Sequence, residues 1–329
     1  MTSPSPSPAS GPPAASLVTL DAIREAQGAI APYVHLTPVS TSTYLGSRAG
    51  ARVVLKLELF QKTGSFKVRG VINTLRQLTP DERGRGVISL SAGNHAQALA
   101  WGAAQFGVHA TIVMPATAVP SKVAATKGYG GDVIQTSGDL LATALELQRE
   151  RGLTLIHPFD DPRVIAGQGT VGLEILAQVP DVGVVIVACG GGGLISGVAA
   201  AIKQLRPSVR VIGVEPTGGD VMTRSLAAGS PQRLPVLTTI ADGLAAPFAG
   251  TRNLAHCQAF VDEWFVVPDE EIVDAMKVLM ERCKLLPEAA GAAALVPLLT
   301  ERLRLSPDAT VVPIVCGGNV DLDRLKALL

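Results

Sequence analysis

Four short segments carry residue types whose spacing could do chemistry. The first is Gln61-Lys62-Thr63-Gly64-Ser65-Phe66-Lys67-Val68-Arg69-Gly70, where Lys67 stands between two apolar neighbours with Arg69 close behind. A single lysine is ordinarily a solvated surface side chain. In an apolar setting near another cation it holds its proton less tightly and becomes a nucleophilic amine, the reagent of Schiff-base chemistry. The second is Ala188-Cys189-Gly190-Gly191-Gly192-Gly193-Leu194, which follows an apolar run and opens a helical pattern. Glycines let backbone N–H groups wrap an anion, and a helix N-terminus adds a favourable dipole. The alternative is a tight turn that binds nothing.

The third segment is Ser91-Ala92-Gly93-Asn94-His95-Ala96-Gln97. It offers free N–H groups, a hydroxyl, a carboxamide and an imidazole, a set that suits a carboxylate plus a phenolic oxygen. Ser91 or Asn94 could equally be a helix cap, and His95 by itself reads as structural. The fourth is Val315-Cys316-Gly317-Gly318-Asn319, a strand-end thiol before glycines. It could face a cleft, but a buried inert cysteine is the plainer reading.

A glycine loop first suggests a dinucleotide, with Glu215 at the end of the next strand as the ribose-binding acid. The fingerprint is incomplete, because Ser196 stands where the third glycine or alanine belongs, and no Walker lysine follows. That reading also leaves Lys67, Asn94 and Cys316 without roles.

The elements that must position these segments alternate between strand and helix patterns. Strands are expected at residues 52–59, 87–90, 111–114, 133–136, 182–189, 209–214 and 311–315. Helices are expected at 95–106, 120–127, 140–151, 168–178, 194–205, 270–284, 291–303 and 322–329. The continuous apolar run at 182–189 is the kind covered on both faces. The pattern predicts an α/β protein with mostly parallel sheets and helices on both faces. A length of 329 residues suggests two such units. No linker breaks residues 17–329, so the units are expected to interleave. The smaller would take 87–163, and the larger 17–86 with 164–329.

Composition narrows the function classes. Lys plus Arg and Asp plus Glu are both 28, so no basic field speaks for nucleic acid or an anionic membrane. No apolar run reaches the roughly 18 residues of a membrane span. Residues 1–16, rich in Pro, Ser and Ala, lack the pattern of a signal peptide and are expected to be a disordered tail. The four cysteines show no metal-ligand or CxxC spacing, which fits reduced thiols in a cytoplasmic protein.

Taken together and in this order, the four segments resemble the serine/threonine dehydratase and serine racemase family, the fold type II pyridoxal-phosphate enzymes of tryptophan synthase β-like architecture. Ala166-Gly167-Gln168-Gly169-Thr170, Ile240-Ala241-Asp242-Gly243 and Glu288-Ala289-Ala290-Gly291 are similar to further family segments. The resemblance covers about residues 17–329. It implies that Lys67 forms the Schiff base with pyridoxal 5'-phosphate and later moves the α-proton. Gly190, Gly191, Gly192, Gly193 and Leu194 would cradle the phosphate. Asn94 would bond the phenolic oxygen, Phe66 would pack on the ring, Cys316 would face the ring nitrogen, and Glu288 would line the pocket. Ser91, Ala92, Gly93, Asn94 and His95 would hold the substrate carboxylate. A homodimer is implied as well.

The residues also bear on the reaction. A neutral thiol opposite the ring nitrogen stabilises charge poorly, which favours elimination over transamination. Family racemases use a serine just before the Gly-Asn pair, where this chain has Ala92. The expectation is therefore an ammonia-lyase (dehydratase) acting on L-threonine or L-serine. A racemase, a dehydratase of another 3-hydroxy amino acid (hydroxyaspartate, phenylserine) and a β-replacement enzyme are the alternatives. A nucleotide-binding oxidoreductase or a non-catalytic relative are readings of a different class. Glu215 matches half of a family cation site, but its partner position is Val221, with Asp220 one place early, so no metal is expected. The chain ends soon after Asn319, so no C-terminal regulatory domain is expected.

Overall fold

The computed structural model describes residues 16–329, so the expected tail lies, but for Ser16, outside the described residues. Among the described residues, ten strands form two sheets. The larger contains β1 (Val39–Thr41), β2 (Arg52–Leu57), β7 (Val184–Ala188), β8 (Arg210–Pro216), β9 (Glu263–Val267) and β10 (Thr310–Val315). Its order is β1-β2-β10-β7-β8-β9, parallel except for the antiparallel β1 edge. The smaller contains β3 (Val87–Leu90), β4 (Ala110–Pro115), β5 (Asp132–Thr136) and β6 (Thr154–Leu155) in the order β5-β4-β3-β6, all parallel. The chain thus leaves the larger sheet after β2, builds the smaller one and returns.

Sequence explains the central strands. Val184-Val185-Ile186-Val187-Ala188 is buried at every position, as a parallel strand covered on both faces requires. The seven expected strands end within two residues of their expected bounds, the run at 52–59 stopping at Leu57 where a short 3-10 turn begins, whereas the edge strands β1, β6 and β9 were not expected. Two helices differ more. The helix expected at 168–178 begins at Pro162, because Asp161 caps it by accepting from Arg163 N at 2.7 Å and proline suits its first turn. The helix expected at 291–303 breaks into Ala289–Ala292, a 3-10 turn at Ala293–Leu295 and Val296–Leu299. Pro297 lacks the N–H that would continue one long helix.

Close backbone approach fixes three helices under the site. A Cβ on Gly167, in the Pro162–Gln178 helix, would lie 2.6 Å from the Arg69 carbonyl, in the Lys67–Leu75 helix. One on Gly197, in the Gly193–Leu205 helix, would lie 2.3 Å from the Ile165 carbonyl. Below them lies a buried ion cluster. Arg69, fully buried, donates through Nε and Nη2 to Glu58 at 2.8 and 2.7 Å, and through Nη1 and Nη2 to Glu174 at 2.6 and 2.8 Å. Lys56 Nζ reaches Glu174 at 2.6 Å. Two positive and two negative side chains therefore neutralise one another out of water.

Candidate active site

All four chemistry-bearing segments follow the carboxyl ends of parallel strands, where open α/β sheets place their ligands. Ser91 follows β3, Gly190 comes two residues after β7, and Cys316 follows β10. After β2, two 3-10 turns lead to the helix that starts at Lys67. The segments meet around one cavity of about 340 Å³ between the two sheets. Phe66, Lys67, Ser91, Ala92, Gly93, Asn94, His95, Gly190, Gly191, Gly192, Gly193, Leu194, Glu288 and Cys316 all line it.

The loop before Lys67 is stitched to the β10 end. Phe66 N donates to the Cys316 carbonyl at 3.2 Å, and Gly318 N to the Gly64 carbonyl at 2.9 Å. Thr63 holds a left-handed backbone (φ 60°), strained for a β-branched residue, four positions before the lysine. Lys67 Nζ donates to the Pro158 carbonyl at 3.0 Å and lies 5.3 Å from the Phe66 ring centroid. Burial lowers its pKa from 10.5 to about 8, against opposing pulls from Cys316 and Glu288. Contrary to what its place in the sequence suggests, Arg69 takes no share in this lowering, because it is turned into the ion cluster and its charge is met by Glu58 and Glu174.

At another part of the wall, Gly192 ends the turn after β7 with φ 98°. The Gly193–Leu205 helix has no side-chain cap, so its first N–H groups are left for an anion. Bulk is excluded here: a Cβ on Gly191 would sit 2.5 Å from the Phe159 ring, and one on Gly190 2.9 Å from the Leu244 carbonyl. On the smaller sheet's side, Ser91 Oγ accepts from Gly93 N at 3.1 Å, and the Asn94–Gln105 helix starts with its own N–H groups free of helical partners. The His95 ring is not among the free groups. Its Nε2 lies 3.0 Å from Ser89 Oγ, and burial drives its pKa down to about 3, so it stays neutral.

Asn94 Nδ2 donates to Glu288 Oε1 at 2.5 Å, and Asn94 Oδ1 accepts from Asn319 Nδ2 at 2.8 Å. Burial raises Glu288 to about 7, with Asp242 adding to the rise and Asn94 opposing it. Cys316 Sγ lies 3.3 Å from the Ala290 carbonyl, and burial pushes its thiol up, so it stays protonated.

A nucleophilic amine, a glycine cradle ending in an uncapped helix and a neutral thiol fit pyridoxal 5'-phosphate, which needs a Schiff-base partner, a phosphate seat and a neighbour for its ring nitrogen. The dinucleotide alternative loses its acid. Glu215 is buried and accepts from Met222 N and Thr223 N, both at 2.7 Å, while Asp220 pairs with Arg224 at 3.0 Å. Among the described residues no group of three or more His, Cys, Asp or Glu is placed to hold a metal ion, and no helix is long and apolar enough to cross a membrane.

The His157-Pro158-Phe159-Asp160 connector carries no motif that marks it in the sequence. It supplies the carbonyl that holds Lys67, the ring that backs the glycine loop, and a carboxylate that accepts from Thr251 N at 3.0 Å and Arg252 N at 3.1 Å. Its only local signal was a proline and two acids ahead of a helix.

Comparison with known proteins agrees with the geometry. The chain is 42% identical over 316 residues to the L-threonine ammonia-lyase of Thermotoga maritima, covering 95% of this chain and 78% of that protein. It is 43% identical over 321 residues to the catabolic L-threonine dehydratase TdcB of Staphylococcus aureus, covering 96% and 93%. The maize serine racemase structure superposes with a TM-score of 0.91 at 43% identity, covering 95% of this chain and 97% of that one. The family model of pyridoxal-phosphate dependent enzymes matches residues 30–317, and the chain belongs to that family.

Proposed function

We propose that this enzyme is an ammonia-lyase that converts L-threonine or L-serine to 2-oxobutanoate or pyruvate plus ammonia, by eliminating water across Cα and Cβ. Bound pyridoxal phosphate supplies an electron sink for the charge that develops at Cα. Lys67 is suited to hold the cofactor and then to carry the α-proton, because burial brings its amine to about 8, within reach of neutral pH. Ser91 and the N–H groups from Ala92 to His95 are suited to the substrate carboxylate. The N–H groups from Gly190 to Leu194 are suited to the phosphate, Asn94 to the phenolic oxygen and Phe66 to the ring face. Cys316, neutral, offers the ring nitrogen no counter-charge, so charge at Cα is best discharged by expelling a β-substituent. Glu288 holds Asn94 in place.

The observation that favours the lyase over the racemase is Ala92. It lines the cavity where a racemase of this family presents a hydroxyl, and its methyl group has no proton to deliver to a second face. The proposal includes a small unit of residues 87–163 set in a large one of 17–86 and 164–329. It also carries, from the family resemblance, a cytoplasmic homodimer. The test is to incubate the cofactor-loaded protein with L-serine and measure pyruvate and D-serine together. Pyruvate should dominate; D-serine as the main product would overturn the proposal.

A further inference from the structure

We propose that His157 reads the β-oxygen of the substrate: its Nε2–H is the donor that selects a 3-hydroxy amino acid. This rests on the ammonia-lyase reading and refines it. His157 opens the connector from β6 to the Pro162–Gln178 helix. Two backbone groups converge on its Nδ1, Phe159 N at 3.2 Å and Asp160 N at 2.8 Å. An imidazole nitrogen that accepts carries no proton, so the proton of the neutral ring is on Nε2. Burial favours that neutral form by lowering the pKa; Asp160 and Asp161 pull the other way, and the charges of Lys67 and Arg252 add to the lowering.

The ring is held in this orientation. It meets Phe159 edge-on with centroids 4.6 Å apart, and Phe248 at 6.1 Å. Flipping it would strip the acceptor from two N–H groups. The adjoining Pro158 carbonyl holds Lys67 Nζ, so one turn sets both the amine and this donor.

His157 lines the cavity, and its Nε2 has no hydrogen-bond partner among the described residues. Each other side chain of the wall that carries a nitrogen donor already has a protein partner. Lys67 is on Pro158, Asn94 on Glu288, Lys122 on Asp242 and His95 on Ser89 and Ile156. A neutral imidazole is a poor acid but a good donor. Its part is to orient the β-hydroxyl and to stabilise the charge on the departing oxygen.

The test compares L-serine with β-chloro-L-alanine, whose chloride leaves without an oxygen, on cofactor-loaded enzyme. In His157→Asn the amide oxygen can replace Nδ1 as the acceptor of the turn while the far donor is lost. The serine-to-chloroalanine ratio of kcat/KM should fall roughly tenfold, the upper range for one neutral hydrogen bond. His157→Gln, which returns an N–H near Nε2, should recover part of it. Spectral titration should show wild type binding L-serine tighter than L-alanine, and His157→Asn losing that preference. An unchanged ratio, with both rates reduced equally, would leave His157 a turn residue and overturn the proposal. If the Asn variant does not fold, the wild-type 15N imidazole signal decides. A shift of Nε2 with L-serine but not L-alanine supports the contact, and equal shifts refute it. Wild type that processes chloroalanine but neither L-serine nor L-threonine would sink the ammonia-lyase reading itself, a distinct outcome.

Discussion

Replacing Lys67 with methionine should make the cofactor-free protein more stable at neutral pH. Burial lowers the amine from 10.5 to about 8 in the fold. Below pH 8 the lysine is charged in both folded and unfolded chains, and the folded state bears the whole desolvation cost. A shift of this size corresponds to about 3 kcal/mol. Between about pH 8 and 10.5 the unfolded chain binds more protons than the folded one, so wild-type stability rises with pH in that window. Lys67→Met keeps a side chain of similar length without the charge. Urea unfolding of the stripped proteins should give the variant an advantage of about 3 kcal/mol at pH 7, shrinking to about 1 kcal/mol at pH 10. The difference between the two proteins carries the Lys67 charge together with its pull on Glu288 and Cys316, both of which it holds lower. An advantage independent of pH, or a variant less stable at pH 7, would refute the claim that this amine is held in a desolvated pocket.

Three further outcomes follow from the geometry. Arg69→Met leaves Glu58 and Glu174 buried beside a lost partner and should cost about 3–5 kcal/mol in urea unfolding; a loss under about 1 kcal/mol would mean the ion cluster is not closed to water. Gly191→Ala puts a methyl group 2.5 Å from the Phe159 ring, so pyridoxal phosphate affinity should fall roughly tenfold by absorbance titration. Equal affinity would show that the ring yields and the loop is not tightly set. Ala92→Ser adds a hydroxyl to the cavity wall and should raise D-serine formation relative to pyruvate, measured by chiral chromatography. An unchanged ratio would remove Ala92 as the reason for favouring elimination.

The central strands were legible because β7, β8 and β10 are runs of Val and Ile that only a doubly covered parallel strand uses well, while the edge strands β1, β6 and β9 are short or half-buried and carry no such run. The site was legible because its residues sit in short segments of unusual type: Lys67 among apolar neighbours, four successive glycines, and a thiol before two more. What escaped the sequence depends on distant partners. Arg69 reads locally as a cation that could tune Lys67, yet Glu58 and Glu174, the second 105 positions away, claim it. His157 and Pro158 carry no motif of their own. Their importance comes from a backbone carbonyl and a ring nitrogen placed by the return from the smaller sheet. The break before Pro297 is marked by the proline, but the apolar residues on either side continue in helical spacing and read locally as one helix.

The most direct test of an ammonia-lyase built on Lys67 is the release of 2-oxobutanoate from L-threonine by the purified, cofactor-loaded protein and by its Lys67→Ala variant. Wild type should form 2-oxobutanoate and ammonia in equal amounts, and the variant should form neither at a measurable rate. Full activity in Lys67→Ala, or a wild type that binds pyridoxal phosphate yet releases no 2-oxo acid from L-threonine or L-serine, would contradict it.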